Sequence, residues 1–210
     1  MKRILTVQDI SCVGKCSLTV ALPIISAFGV ETAVLPTAVL STHTAFKHFT
    51  FRDLTKDIPA IEEAWRAEGL GFDAIYTGYL GSEKQIALVE KLFDDFRDFG
   101  GKRAFTLVDP VMADNGKLYC GFNEAFAAKM TVLCKKADVI VPNLTEATLM
   151  LGEPYVAEGY DENYIKALLK KLTNLGAKTA IVTGVSFEKE KLGAYGYDSR
   201  RNEYFYCYGE

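Results

Sequence analysis

Strand-like and helix-like patterns alternate along nearly the whole chain, and this alternation constrains the fold more than any other feature. Short apolar runs predict strands at 2–8, 31–36, 72–78, 103–109, 137–143 and 178–184. Helical patterns are predicted between them at 15–28, 59–67, 123–134, 145–151 and 161–175. One further helix is predicted in the stretch that begins after Ser82. Strands followed by helices in this order are typical of a mostly parallel sheet that is covered by helices on both faces.

The last part of the chain departs from this alternation. The segments LGAYGYD (192–198) and NEYFYCYG (202–209) flank Ser199-Arg200-Arg201, and this pattern predicts an antiparallel hairpin at a sheet edge. Internal repeats and linker-like runs are absent from the sequence. We therefore predict a single α/β domain over residues 1–210.

One helix has a clear predicted start. Ser82 and Gln85 match the capping-box pattern, in which each side chain accepts a hydrogen bond from the other residue's backbone N–H. Apolar residues then recur at three- and four-residue steps, at Ile86, Val89, Phe93 and Phe96. This spacing predicts an amphipathic helix with one buried face.

Composition and charge exclude several function classes. The net charge of −3, with both signs spread along the chain, gives little electrostatic support for a nucleic-acid partner. No apolar stretch approaches the roughly 18 to 20 residues of a membrane helix, and no signal-peptide pattern is present, so we expect a cytoplasmic protein. The five cysteines lack paired spacing, which favours reduced thiols, and the only two histidines, His43 and His48, do not suit a zinc site.

Ligands of open parallel sheets bind outside the carboxyl ends of the strands. Polar or flexible residues follow every predicted strand of this chain: Gln8-Asp9, Thr37 with STHT (41–44), TGYLGS (77–82), Asp109 with Asp114, PNLTE (142–146) and Thr183-Gly184. This concentration at one edge of the sheet predicts the position of the functional site.

The acidic residues among them point to a metal-bound nucleotide. Asp109 and Asp114 share one loop, and Asn143 and Glu146 stand three residues apart where a helix begins, so both could face the same cleft. Oxygen ligands of this type suit Mg²⁺, which is usually held by one or two carboxylates together with substrate phosphates.

Taken together, the motifs resemble the pyridoxal kinases and the related hydroxymethylpyrimidine kinases of the ribokinase-like superfamily. The resemblance extends from residue 4 to residue 208 and involves six motifs in order: TVQDISCVG, TAVLSTHTAF, TGYLGS, DPVMADNG, VPNLTEA and IVTG. The STHT and TGYLGS stretches favour the pyridoxal branch.

The resemblance implies a ribokinase-like three-layer α/β/α fold and transfer of the γ-phosphoryl group of ATP to the 5′-hydroxymethyl group of pyridoxal, pyridoxine or pyridoxamine. A hydroxymethylpyrimidine kinase and a catalytically inactive B6-binding relative are the alternatives. Because relatives are commonly dimers, a homodimer is also expected. Apart from ATP and Mg²⁺, some relatives use a monovalent cation such as K⁺.

The family's site residues map onto this chain by the same motifs. The vitamin pocket would be lined by Asp9, Leu40, Thr44 and Tyr79. The nucleotide and its phosphates would be approached by Asn143, Glu146, Thr183 and Gly184. Mg²⁺ would be held, directly or through water, by Asp109, Asp114 and Glu146. A monovalent cation would involve Asp109, the carbonyl of Val141 and Thr183.

Two features differ from the family pattern. Many relatives carry serine where this chain has Asp9, and an acid there could favour a cationic amine, such as pyridoxamine, or a protonated ring nitrogen. The family's Gly-x-Gly-Asp turn, which supplies an anion hole and the catalytic base, is absent from residues 1–210. Either the chain is truncated, with the base expected beyond Glu210, or it is a natural non-catalytic relative. No catalytic residue is therefore assigned.

Overall fold

The predicted alternation of strands and helices is present in the computed structural model, which describes residues 1–188 and 190–209. Its strands are β1 (Arg3–Ser11), β2 (Glu31–Leu40), β3 (Phe51–Asp53), β4 (Ala74–Thr77), β5 (Phe105–Val108), β6 (Ala113–Asp114), β7 (Lys117–Leu118), β8 (Val139–Ile140), β9 (Thr179–Val185), β10 (Leu192–Asp198) and β11 (Glu203–Gly209). Its α-helices are α1 (Leu18–Ala27), α2 (Ile58–Ala67), α3 (Glu83–Phe96), α4 (Glu124–Lys136), α5 (Leu144–Leu151) and α6 (Glu162–Asn174).

The chain divides into two compact units, residues 1–106 and 107–210. In the first unit the strand order is β3-β2-β1-β4, with β1 parallel to both β2 and β4 and with β3 antiparallel to β2. The register between β1 and β2 shifts between Gln8 and Ile10, which marks a β-bulge. Bulges of this kind change the direction of a side chain near a binding site, and Asp9 lies at this one.

In the second unit the strand order is β5-β8-β9-β10-β11. Strands β5, β8 and β9 are parallel, while β10 and β11 form the predicted antiparallel hairpin at the edge. A mostly parallel sheet with helices on both sides and an edge hairpin confirms the predicted fold class. The assignment of one domain to residues 1–210 stays a prediction.

The buried face of α3 is the one that the spacing predicted. Ile86, Val89, Phe93 and Phe96 are all at most 1% exposed. No helix within the described residues is long and apolar enough to cross a membrane. All five cysteines are unpaired, as expected.

The strand predicted at 137–143 was wrong in length, since β8 covers only Val139–Ile140. Pro142 cannot donate to a strand ladder, and Asn143 instead caps α5. In the opposite direction, β1 and β2 run on to Ser11 and Leu40, beyond their predicted ends. Strand β3 and the small β6-β7 sheet were not predicted, because each strand has only two or three residues.

The capping box predicted at Ser82 and Gln85 was only half correct. The hydroxyl of Ser82 accepts from the N–H of Gln85 at 3.2 Å, as a cap should. The Gln85 side chain does not return to Ser82, however, because its Oε1 accepts from the N–H of Gly81 at 2.7 Å. The complete capping box lies at the start of α5, where Asn143 and Glu146 accept from each other's backbone N–H.

Candidate functional site

Asp9, the first predicted vitamin-pocket residue, lies in β1 beside the bulge of the first unit. Its side chain is 5% exposed, and its carboxylate accepts a hydrogen bond from the hydroxyl of Ser11 at 3.1 Å. A buried carboxylate is costly unless it is hydrogen-bonded or meets a cation. Asp9 is therefore a strong potential acceptor for a ligand N–H or cationic group.

Tyr79 lies directly after β4, the strand adjacent to β1, and is half-buried. Burial raises the pKa of its phenol, and the negative charges of Asp9 and Asp53 raise it further. The structure thus brings Asp9 close enough to Tyr79 for the negative charge of Asp9 to affect the ionisation of the phenol. The hydroxyl of Thr37 donates to the Tyr79 carbonyl at 3.0 Å and so fixes the backbone there.

Leu40 and Thr44 differ in their surroundings. Leu40 ends β2 as a buried side chain, and its carbonyl accepts from the N–H of Cys12 at 2.9 Å. Thr44 is exposed on the loop that follows β2. The His43 ring packs directly against the backbone of Gly14, so closely that a Cβ built on Gly14 would lie 2.3 Å from the His43 Cδ2 atom. This contact ties the loop to the segment that follows β1.

Gln8 also belongs to this region, although the sequence suggested no role for it. It is 2% exposed, and its Nε2 atom finds no hydrogen-bond partner among the described residues. Gly78 leaves room for it, because a Cβ at position 78 would lie 3.0 Å from the Gln8 Cδ atom. The available sequence signal was a long polar side chain in an apolar strand, together with a glycine after the neighbouring strand.

Asp109 follows β5 in the second unit and is half-buried. Burial raises the pKa of its carboxyl to about 7, and the nearby charge of Glu146 adds to this effect. A hydrogen bond from the N–H of Val111 lowers the pKa only partly. Two carboxylates therefore repel each other across a desolvated space, which is an environment that favours a cation.

Glu146 is 2% exposed and is the acceptor for three backbone N–H groups. Its Oε1 atom accepts from Met112 at 2.8 Å and from Ala113 at 3.3 Å, and its Oε2 atom accepts from Asn143 at 2.9 Å. Burial still raises the pKa of Glu146, against the lowering effect of these hydrogen bonds. The carboxylate holds the loop after β5 in place.

Asn143 and Asp114 complete the acidic region. The Nδ2 atom of Asn143 donates to the carbonyl of Ala113 at 2.7 Å, which ties α5 to β6. Asp114 is exposed and accepts from the N–H of Asn115 at 2.8 Å. Burial raises the pKa of the Tyr119 phenol to about 12, and the negative charges of Glu146, Asp114 and Asp109 raise it further.

The segment that contains Thr183 and Gly184 lies beside α5's first residues. The N–H of Thr183 donates to the carbonyl of Pro142 at 3.0 Å, and Thr183 bridges to Asn143. Val141 is tied to β5 in turn, since its N–H donates to the carbonyl of Val108 at 2.9 Å. Gly184 is exposed with a φ of 73°, a left-handed conformation that suits glycine.

Within residues 1–188 and 190–209, no three His, Cys, Asp or Glu side chains lie close enough to hold a metal ion by themselves. Burial and the charge of Glu146 raise the pKa of Asp109, and a cation bound together with a nucleotide would offset both effects. Magnesium is usually bound in this way, through one or two carboxylates, water and phosphate oxygens.

Comparison with known proteins gives consistent matches. The model of the phosphomethylpyrimidine kinase family matches residues 22–206. A Bacteroides thetaiotaomicron protein assigned to the phosphomethylpyrimidine kinases, solved in a crystal form with pyridoxal, is 42% identical with a TM-score of 0.90, over 99% of this chain and 72% of that one. Pyridoxal kinase from Lactobacillus plantarum is 32% identical with a TM-score of 0.87, over 100% of this chain and 73% of that one.

Curated relatives are more distant. Pyridoxal kinase PdxY of Pasteurella multocida is 28% identical over 199 residues, which cover 89% of this chain and 64% of that protein. The chain thus spans less than two thirds of the length of the curated relatives that it matches. It covers 48% of the length of a Schizosaccharomyces pombe protein and 64% of the length of PdxY of Histophilus somni.

Proposed function

This chain belongs to the phosphomethylpyrimidine kinase family, and on that premise we propose that the protein transfers the γ-phosphoryl group of ATP to the 5′-hydroxymethyl group of a B6 vitamer. The observation that carries the proposal is the buried carboxylate of Asp9 beside the half-buried phenol of Tyr79. The pyridoxal in the crystals of the 42% identical relative supports the same substrate class.

Asp9 and Tyr79 match the chemistry of a B6 vitamer. Pyridoxal, pyridoxine and pyridoxamine share an aromatic ring with a basic nitrogen, and pyridoxamine adds a cationic amine. We assign to Asp9 the acceptance of a hydrogen bond from such a cationic group. We assign to Tyr79 contact with the ring, to Leu40 an apolar wall and to Thr44 a hydroxyl on the loop that follows β2.

The nucleotide and its metal are assigned to the second unit. When bound, Mg²⁺ supplies neutralisation of the phosphate charges. Asp109 is the carboxylate that we assign to direct contact with it, while Asp114 and Glu146 would act through water, because Glu146 already accepts three N–H groups. Asn143, Thr183 and the open, left-handed turn at Gly184 would approach the phosphates.

Phosphoryl transfer needs little covalent chemistry from a protein and depends on positioning and charge neutralisation. The assigned residues supply both. The general base is assigned to no residue in 1–210, and the family resemblance associates it with a Gly-x-Gly-Asp turn. We further propose that K⁺ would be held by Asp109, the Val141 carbonyl and Thr183, and that the protein acts in the cytoplasm as a homodimer.

An ADP-release assay with each alcohol as the acceptor tests the proposed reaction on the full-length protein. Turnover of pyridoxal well above that of hydroxymethylpyrimidine supports a B6 kinase. The reverse order would support the alternative, a hydroxymethylpyrimidine kinase. Binding of pyridoxal in calorimetry without any ADP formation would instead indicate a catalytically inactive B6-binding protein.

A further inference from the structure

The side chain of Gln85 connects three separate segments of the first unit. It is completely buried, with 0% exposure. Its Oε1 atom accepts from the N–H of Gly81 at 2.7 Å, while its Nε2 atom donates to the carbonyl of Thr37 and to the hydroxyl of Thr55, both at 2.9 Å. The amide thereby joins the loop after β4, the middle of β2 and the turn before α2.

The same network reaches Tyr79 by two routes. The hydroxyl of Thr37 donates to the Tyr79 carbonyl at 3.0 Å, and Thr37 is itself held by Gln85. The ring of Tyr79 also lies beside Gly81, since a Cβ built at position 81 would be 3.5 Å from both its Cε1 and its Oη atoms. Gln85 therefore fixes the backbone that follows Tyr79, through Thr37 at the Tyr79 carbonyl and directly at the N–H of Gly81.

The Gln85 side chain makes more hydrogen bonds than a helix cap needs. A capping glutamine at the third helical position would accept from the backbone of Ser82, and its amide group would face solvent. Gln85 instead directs both ends of its amide into the interior and satisfies three groups there. Buried polar networks in which every member is satisfied make a local structure rigid and specific.

We infer that Gln85 is a positioning residue for the B6 pocket, which acts through Gly81 and Thr37 to hold Tyr79 in its binding orientation. This inference rests on the proposed function, because Tyr79 is assigned there to the vitamin. The residues assigned to the nucleotide all belong to the second unit, whereas the three hydrogen-bond partners of the Gln85 side chain belong to the first. Its loss should therefore weaken vitamin binding selectively.

The test compares Gln85→Met, which keeps the volume but removes all three hydrogen bonds, with Leu92→Ala on the same helix. Leu92 is 0% exposed, so its truncation destabilises α3 without touching the network. Calorimetry on the full-length protein should show the Kd for pyridoxal raised about tenfold by Gln85→Met, while the Kd for Mg-ATP changes less than about twofold. Leu92→Ala should leave both Kd values within about twofold.

Equal weakening of pyridoxal and Mg-ATP binding by Gln85→Met, or equal effects of the two variants, would overturn the inference. Amide hydrogen exchange over residues 77–82 provides a readout that does not depend on any ligand. Faster exchange there in Gln85→Met, but not in Leu92→Ala, supports the positioning role, and unchanged exchange refutes it. A wild-type protein that binds no B6 vitamer would refute the proposed function, while the exchange result would still decide the role of Gln85.

Discussion

Two buried glutamates, one in each unit, show opposite ways of placing a carboxylate inside a protein. Glu146 accepts three backbone N–H groups at the start of α5. Glu62, in the middle of α2, is 3% exposed, yet its Oε1 atom has no hydrogen-bond partner among the described residues. Glu62 also lines a surface groove between α2 and α3 with a volume of about 650 Å³.

The pKa of each glutamate reflects this difference in partners. Burial raises the pKa of Glu62 to about 7, with Lys91 and Arg66 opposing the shift and Asp95 adding to it. Burial also raises the pKa of Glu146, but there the backbone N–H groups favour the charged form. Similarly low exposure therefore has different consequences: Glu146 organises the loop after β5, whereas the desolvation cost of Glu62 is offset only in part, by the charges of Lys91 and Arg66.

The largest effect is expected from Glu146→Ala, which leaves two buried N–H groups and one part-buried N–H group without an acceptor. We expect the free energy of unfolding to fall by about 4 kcal/mol, as measured in urea. Glu146→Gln keeps one carbonyl acceptor and should recover roughly half of this loss. The exposed Glu158 is the control, and its alanine variant should stay within about 0.5 kcal/mol. A loss no greater than that of the control would contradict the role given to Glu146.

The next effect concerns Glu62 and depends on pH. Because the folded-state pKa is raised, the folded protein binds more protons than the unfolded chain between about pH 4.5 and 7. Stability should therefore fall as the pH rises through this range, by about 2 kcal/mol relative to Glu62→Gln. Urea unfolding at several pH values measures this difference. The exposed neighbour Glu63, changed to Gln, should follow the wild type; a Glu62→Gln profile parallel to the wild type would show that Glu62 is not desolvated.

Asp109→Ala separates the acidic site from the vitamin pocket. Removal of the carboxylate assigned to Mg²⁺ should weaken Mg-ATP binding about tenfold and pyridoxal binding less than about twofold. Calorimetry with each ligand gives both values. The exposed Asp94, changed to Ala, is the matched control. Equal loss of both ligands would count against the assignment of Asp109 to the metal.

The smallest effect is expected from Asp9→Ser, which replaces the charged carboxylate by an uncharged hydroxyl. If Asp9 favours a cationic vitamer, the preference for pyridoxamine over pyridoxal should fall about fivefold. Competition binding of the two vitamers measures this ratio. Ser11→Ala, which removes only the hydroxyl that donates to Asp9, should change the ratio less. An unchanged preference for pyridoxamine over pyridoxal in Asp9→Ser would show that the charge of Asp9 does not select the vitamer.

The sequence predicted the alternation of strands and helices, since apolar periodicity follows directly from burial. It predicted the edge of the sheet where polar residues gather, and within each unit the structure brings predicted residues together, such as Asp9 with Tyr79 and Asp109 with Glu146. The roles of individual residues in binding stay predictions.

The failures have a common physical cause. Ser82–Gln85 and Asn143–Glu146 both fit a capping-box pattern, yet only the second pair forms a complete box. The difference lies in distant partners: Gln85 finds Thr37 and Thr55, which are 48 and 30 residues away. Local sequence contains no record of such contacts.

Gln8 and Gly78 carry a consequence for how this family can diverge. The long side chain at position 8 occupies the volume that a methyl group at position 78 would need, at a separation of 3.0 Å. A side chain at position 78 therefore requires Gln8 to move by a few tenths of an ångström or to be replaced by a shorter residue. Across homologous chains, larger residues at position 78 should accompany shorter residues at position 8. The total side-chain volume at the two positions, and with it the shape of the end of β1, would then stay the same.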